Sequence, residues 1–504
     1  MPSKRISQPQ ELPIAILGAG FAGIGAAIQL KQAGIRDFII YERAHDVGGT
    51  WRDNTYPGAA CDVPSHVYSF SFEPNPHWSR VFSGWAEIHA YLRGLVEKWG
   101  LREHLRLGTE IVHARFEEPR GLWQLTTQGD ETVTARVVIA GLGGLVDPSW
   151  PDIKGLQSFG GDRLHTARWD HGVDLTGRRV AVIGTGASAV QVVPSIASQV
   201  ERLQVFQRTA AWVMPRRDAP YPESRRRFYA RHPWALRASR WTRYWLSELL
   251  GPMIFLDAPR LSAVGERASL AHLRRSVRDP DLRQKLTPDF QFGCKRVLVS
   301  DDYWSSFERG NVDLVTDPIE QIEGDGIRTR DGRLHAADVI VFATGFALNL
   351  ATPPFPIVGR GGRRLHEVWS QGAVAYKGMS VHGFPNWFIL MGPNTGPGHT
   401  SVLVYTEAQI RHALGAIRRL RDRGLKSVEV RQEVQDRYNA GIQRRMKHMV
   451  WSSGCHSWYL SPDGSNHSLY PGFAAEYVLR ARRFVASDYA IAPWEQGSGR
   501  DASA

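Results

Sequence analysis

Twice in this chain a short apolar strand runs straight into a glycine-rich turn, then a helix, then a second strand. The first copy opens with Ile14-Ala15-Ile16-Leu17 and turns through Gly18-Ala19-Gly20-Phe21-Ala22-Gly23. A helical pattern follows through Ile24, Ala27, Ile28 and Leu30 to a stop at Gly34, and the next strand, Phe38 to Tyr41, ends in Glu42. This is the βαβ pattern of a dinucleotide site in its proper context. Gly18 permits the tight turn, Gly20 lets the backbone approach a pyrophosphate, and Gly23 lets helix and strand pack closely. The helix beginning near Phe21 offers its unpaired N–H groups and positive dipole end to the phosphates, and Glu42 is placed to accept hydrogen bonds from ribose hydroxyls.

The second copy starts at Arg179. Its strand Val180-Ala181-Val182-Ile183 enters Gly184-Thr185-Gly186-Ala187-Ser188-Ala189, then a helix through Val190, Val193 and Ile196, and a strand Leu203 to Phe206 followed by Gln207-Arg208-Thr209. Glu42 lies 19 residues past Gly23, and Arg208 lies 19 residues past Ala189. One structural position therefore carries an acid in the first site and a base in the second. A carboxylate there repels a 2′-phosphate, whereas a guanidinium offers it a charge-assisted fork. The first site suits FAD and the second NADPH, the cofactors expected here. The expected fold is α/β, with two Rossmann-like dinucleotide-binding domains, and two such sites in one chain predict electron flow from nicotinamide to flavin.

The 504 residues exceed what one small core organises and predict two or three domains. No window holds the roughly 18 uninterrupted apolar residues of a membrane span, and the N-terminus MPSKRISQPQELP lacks the apolar stretch of a signal peptide. A soluble, cytoplasmic protein without stable membrane insertion is expected. Cys61, Cys294 and Cys455 stand far apart with no CxxC pair. That spacing predicts neither a zinc site nor a dithiol redox centre, fits a reducing compartment, and speaks against a flavin disulfide reductase. The net charge of +12 gathers between Arg216 and Lys285 and between Arg411 and Arg423. Solvated helical faces account for it, and no nucleic-acid-binding module accompanies it.

Between the two sites lies Phe159-Gly160-Gly161-Asp162-Arg163-Leu164-His165-Thr166-Ala167-Arg168-Trp169-Asp170, which matches F-x-G-x-x-x-H-x-x-x-W-[P/D] at every position. A second pattern, G-x-W-x-x-x-x-Y-P-G-x-x-x-D, is spelled by Gly49, Trp51, Tyr56, Pro57, Gly58 and Asp62. Through these residues the chain resembles the Baeyer–Villiger monooxygenases. The likeness extends through Gly293-Cys294-Lys295-Arg296, Ala343-Thr344-Gly345-Phe346 and Gly392-Pro393-Asn394-Thr395. It implies insertion of one oxygen of dioxygen next to the carbonyl of a ketone, through a C4a-peroxyflavin, giving an ester or lactone.

An anionic flavin–oxygen adduct attacks carbonyls, whereas a protonated one oxygenates sulfur or nitrogen; a cation beside the ring favours the anion. The resemblance puts that cation at Arg296, its partner carboxylate at Asp62, and help with the NADPH 2′-phosphate at Lys295. Gly49, Thr50, Trp51, Asp62 and Tyr68 join the expected flavin contacts; Thr185, Ala187, Ser188 and Thr209 join Gly184, Gly186 and Arg208 around NADPH. His165 and Trp169 are expected to fasten the two domains together rather than to react. One departure is visible: where the superfamily carries an A-T-G turn, this chain has Ala140-Gly141-Leu142-Gly143-Gly144. The alternative is a flavin monooxygenase acting mainly on sulfur or nitrogen of soft nucleophiles. A second, of another class, is a flavin-binding interaction protein without turnover.

The expected organisation is residues 1–148 for the first part of the FAD domain, 149–334 for the NADPH domain and 335–504 for the rest of the FAD domain. A helical insert is expected near 215–288. It carries Trp234, Trp241 and Trp245 among many arginines. Packing over the active-site mouth is the expected role, with attachment to an anionic membrane surface as the alternative. The aromatic segment Trp451 to Tyr459 resembles a stretch that approaches the substrate pocket and points to a small hydrophobic ketone.

Overall fold

A computed structural model describes residues 12–347, 353–454, 459–461 and 464–494. Two parallel five-stranded sheets organise it. The first runs Trp387–Ile389, Val137–Ala140, Ile14–Leu17, Phe38–Tyr41, Leu105–Arg106. The second runs Val312–Val315, Arg202–Phe206, Arg179–Ile183, Val339–Phe342, Asp162–His165. In each, the strand feeding a glycine-rich turn sits centrally, in register with the strand that follows its helix: Ile14 faces Phe38, and Val180 faces Leu203. Strands buried on both faces read as unbroken apolar runs, and Ile14–Leu17 and Val339–Phe342 are buried throughout. Ligands of such sheets bind beyond the carboxyl ends of the strands, where the strand order reverses; both glycine-rich turns lie there.

Close packing explains the turns. Gly18 has φ +94°, and a β-carbon on it would lie 2.6 Å from the Gly141 carbonyl oxygen. Gly141 is the residue where the usual A-T-G turn is missing; a β-carbon on it would lie 3.1 Å from the Ala22 Cβ and 3.2 Å from the Gly23 nitrogen, so its absent side chain eases the contact of the two turns. A β-carbon on Gly23 would lie 1.8 Å from the Gly18 carbonyl oxygen. Gly23→Ala is therefore expected to cost roughly 3 kcal/mol through overpacking, seen as a lowered thermal midpoint with loss of bound flavin. An unchanged midpoint would refute this reading of the turn.

The second sheet takes Val339–Phe342 as a strand flanking Arg179–Ile183. The chain thus returns to the first sheet only after Phe342, the short antiparallel strands between Ile319 and Ala336 preceding that strand. Five helices follow one another between 223 and 286: Glu223–Arg231, Pro233–Leu250, Pro252–Phe255, Pro259–Ser276 and Pro280–Leu286. Proline opens four of these, where its missing N–H costs nothing. Among the described residues no helix is long and apolar enough to cross a membrane.

The cysteines differ from expectation. Cys294, fully buried, is one half of a disulfide, while Cys61 is a free buried thiol. Cys455 lies outside the described residues. Distance along the sequence is no guide to pairing, which depends on separation in space, so the cysteines no longer argue for a reducing compartment. His456 to Trp458 also fall outside the described residues.

Candidate active site

Asp62 and Arg296 are 234 residues apart in sequence and in contact in space. The Arg296 Nη2 donates to Asp62 Oδ2 at 2.5 Å, and Nε donates to the same oxygen at 3.1 Å. The loop after Tyr56-Pro57-Gly58 brings the acid; the tight turn at Gly293, with φ +89° and no room for a β-carbon against the Ile254 carbonyl, brings the base. Their side chains are 28% and 37% exposed, the accessibility of a cleft wall rather than a core. Burial pushes the Asp62 carboxyl up, but the charge and hydrogen bonds of Arg296 overcome that and hold it below its ordinary value. The Asp62 charge in turn raises Arg296 against the cost of its burial. Both are ionised at neutral pH.

Two neighbours complete the cluster. Arg216 donates to the Cys61 carbonyl oxygen at 3.1 Å and adds a second positive charge near Asp62. Tyr459 is buried, which raises its phenol, while a hydrogen bond with Arg296 pulls the other way. Arg216 carried no signal in the sequence beyond its place in an arginine-rich stretch. Tyr459 closed the aromatic segment already singled out.

Around the first glycine-rich turn, Gly20 and Gly49 bring their backbones together; a β-carbon on Gly49 would lie 3.3 Å from the Gly20 Cα. Glu42 is buried, accepting from the Ala19 N–H at 2.8 Å, the Ala44 N–H at 3.0 Å and Arg52 at 3.1 Å. The carboxylate is thus fixed beside the turn with its charge partly answered by Arg52, a partner the sequence did not reveal. Trp51 donates its indole N–H to the Tyr68 hydroxyl at 2.9 Å, and the Phe21 ring meets Tyr68 edge-on at 5.2 Å. Phe21, Trp51 and Tyr68 form one aromatic corner. Thr50 stands at the start of a short helical turn behind Gly49.

At the second turn, Gly184 has φ +117° against the Ala343 carbonyl, whereas a β-carbon on Gly186 would meet open space. The backbone there is open to the approach of a pyrophosphate. Thr185 donates to the Thr209 carbonyl oxygen at 2.7 Å, tying the turn to the strand end that carries Arg208. Ala187 and Ser188 lead into the helix Ala189–Ile196. Lys295 lies over the Phe290 ring at 4.6 Å. Its pKa is lowered by burial first and, against the pull of Asp289, by the positive charge of Arg208. Two cations so placed repel each other until an anion arrives. Among the described residues no carboxylate forms an ion pair with Arg208.

Comparison with known proteins decides the family. Residues 15–229 match the family model described as pyridine nucleotide-disulphide oxidoreductase. A Baeyer–Villiger monooxygenase of Pseudomonas aeruginosa is 45% identical over 94% of this chain and 90% of its own length. The chain belongs to the Baeyer–Villiger monooxygenases. A Streptomyces coelicolor member of that name is 42% identical over 96% of this chain and 93% of the relative. A crystal structure of OTEMO in complex with FAD and NADP superposes with a TM-score of 0.86 at 29% identity, covering 96% of this chain and 100% of that one. This monooxygenase is an NADPH-dependent flavoprotein that uses FAD, and its two parallel sheets correspond to the FAD and NADP domains of that fold. The residues of both turns fit those groups: glycine where a β-carbon would block the approach, an acid beside the first and cations beside the second.

In this Baeyer–Villiger monooxygenase the fingerprint histidine is buried. His165 accepts from the Ala167 N–H at 3.0 Å and lies 3.3 Å from the Thr344 hydroxyl, which donates to the Ser149 carbonyl oxygen at 2.6 Å. Burial lowers its pKa. It thus joins the outgoing and returning connections between the sheets. Trp169 packs half-buried against the NADP-domain core. A second fastening went unread in the sequence: Gln191, on the helix after the second turn, donates to the Ala60 carbonyl at 2.9 Å and accepts from the Tyr56 hydroxyl at 2.8 Å. It sets the Asp62 loop against the NADP domain.

Proposed function

We propose that this monooxygenase converts a hydrophobic ketone to an ester or lactone with dioxygen, with Arg296 as the catalytic cation and Asp62 as its partner. The observation that carries the reading is the Asp62–Arg296 contact, which fixes a positive charge at a partly exposed position. Cyclohexanone monooxygenases among the solved neighbours support a ketone substrate. FAD, reduced by NADPH, supplies the activation of dioxygen. The chain contributes the rest. Arg296 stabilises negative charge on the reacting oxygen, keeping it nucleophilic toward the carbonyl carbon. Asp62 holds the guanidinium in place, and Tyr459 restricts its swing. Gly18, Gly20, Phe21, Gly23, Glu42, Gly49, Thr50, Trp51 and Tyr68 would hold FAD; Gly184, Thr185, Gly186, Ala187, Ser188, Arg208, Thr209 and Lys295 would hold NADPH. By this reading residues up to about 148 and those after Phe342 form the FAD domain.

Offered a ketone and a thioether together in equal amounts, the enzyme should form mainly ester or lactone, with sulfoxide the minor product by mass spectrometry. Predominant sulfoxide would favour the reading in which soft nucleophiles are the substrates.

A further inference from the structure

The helix Pro233–Leu250 leaves its largest apolar side chains outside. An amphipathic helix of a globular protein buries its apolar stripe and shows its polar one. Here Ala235 and Leu236 are buried, but Ser239, Arg240 and Glu248 also face the protein. Arg240 donates to the carbonyls of His66, Val67 and Ser69 at 2.8, 3.1 and 2.8 Å. Ser239 bonds the His66 ring at 2.8 Å, and Glu248, only 3% exposed, pairs with His399 at 3.2 Å. The opposite face carries Trp234, Trp241, Trp245 and Leu249, spaced by seven, four and four residues and so aligned in one row. They are 66%, 65%, 44% and 75% exposed, and Leu246 beside them is 52% exposed. Phe228 of the preceding helix extends the row, its ring 6.4 Å from Trp234. Exposed apolar patches of this kind mark surfaces that meet a partner.

Charge identifies the partner. Within residues 223–250, Arg225, Arg227, Arg231 and Arg237 are exposed against one exposed acid, Glu223, since Glu248 is turned inward and paired. A second copy of the same face would bring arginine against arginine. A lipid surface with anionic headgroups answers the arginines and accepts tryptophan at the boundary between headgroups and acyl chains. We propose that the outer face of Pro233–Leu250, with Phe228 and the arginines of Glu223–Arg231, docks the enzyme on the surface of an anionic phospholipid bilayer. The helix lies on the membrane rather than crossing it. Its inner face grips the loop that carries Tyr68, so docking sets one wall of the flavin site a single helix from the lipid, where hydrophobic ketones partition.

Flotation of the FAD-loaded full chain with vesicles of mixed phosphatidylglycerol and phosphatidylcholine tests this. Binding should be roughly tenfold weaker to phosphatidylcholine alone and should weaken likewise in high salt. The variant Trp241→Ser/Trp245→Ser/Leu249→Ser, altered only at exposed positions, should keep its flavin and its turnover of a water-soluble ketone while losing vesicle binding about tenfold or more. Absence of binding to anionic vesicles, or equal binding by the triple variant, would overturn the proposal. So would sedimentation showing a dimer of the parent enzyme that the triple variant dissociates, because the face would then belong to a second copy.

Discussion

The Arg296→Ala enzyme should still bleach with NADPH, while ester formation falls about a thousandfold. Flavin reduction needs the two nucleotides side by side, and none of the contacts around the glycine-rich turns runs through the Arg296 side chain. Oxygen insertion needs a positive charge beside the reacting oxygen, and removing one preorganised donor from such a place typically costs two to three orders of magnitude. Stopped-flow reduction and product quantification separate the two steps. Wild-type ester yield from the variant would remove Arg296 from the mechanism. Arg296→Lys should recover little, because the ammonium cannot offer two N–H groups to one carboxylate oxygen as Nε and Nη2 do. The pH profile adds an independent check. Asp62 is held below its ordinary value in the fold, so its pairing contributes stability above the unfolded carboxylate pKa and loses it as pH falls through the lowered folded value. Arg296 is held above its already high value. The pair should therefore contribute no ionisation to activity across the neutral range. Asp62→Asn, leaving the guanidinium without its anchor, should reduce ester formation more than flavin reduction.

The two nucleotide turns were legible because each is local: strand, glycine spacing and helix fall within about 30 residues, and the acid or base that chooses the cofactor comes at a fixed offset. Asp62 and Arg296 were legible only through family resemblance, since 234 residues of intervening chain decide whether they meet. Arg216 and Gln191 could not be found this way. Their roles come from the Cys61 and Ala60 carbonyls they reach, and backbone carbonyls leave no mark in a sequence. The insert was harder to read. Trp241 and Trp245 stand four residues apart and share one helical face, with rings 6.2 Å apart, but an apolar stripe is ordinarily taken to face inward. Here three carbonyls of the loop 66–69 captured Arg240 instead, and the tryptophans were left outside.

Replacing Arg208 with glutamate should lower kcat/KM for NADPH roughly 100-fold while changing NADH turnover far less. The argument rests on the repulsion between Arg208 and Lys295. Holding two cations together without an anion is unfavourable, and a 2′-phosphate relieves it by bonding both. NADH lacks that group and gains nothing from either. Because burial and Arg208 together lower the Lys295 pKa, its charge is lost as pH rises through a value below that of ordinary lysine. The KM for NADPH should climb over that alkaline range, and the KM for NADH should not. In Arg208→Gln the repulsion is gone, so Lys295 keeps its proton to higher pH and the climb should shift upward; in Lys295→Met it should vanish. Together the two substitutions should lose less than the product of their separate effects, since each removes half of one phosphate clamp. Equal losses with NADPH and NADH would show that Arg208 supports the domain rather than reads the phosphate. A pH profile untouched by Lys295→Met would remove Lys295 from the clamp.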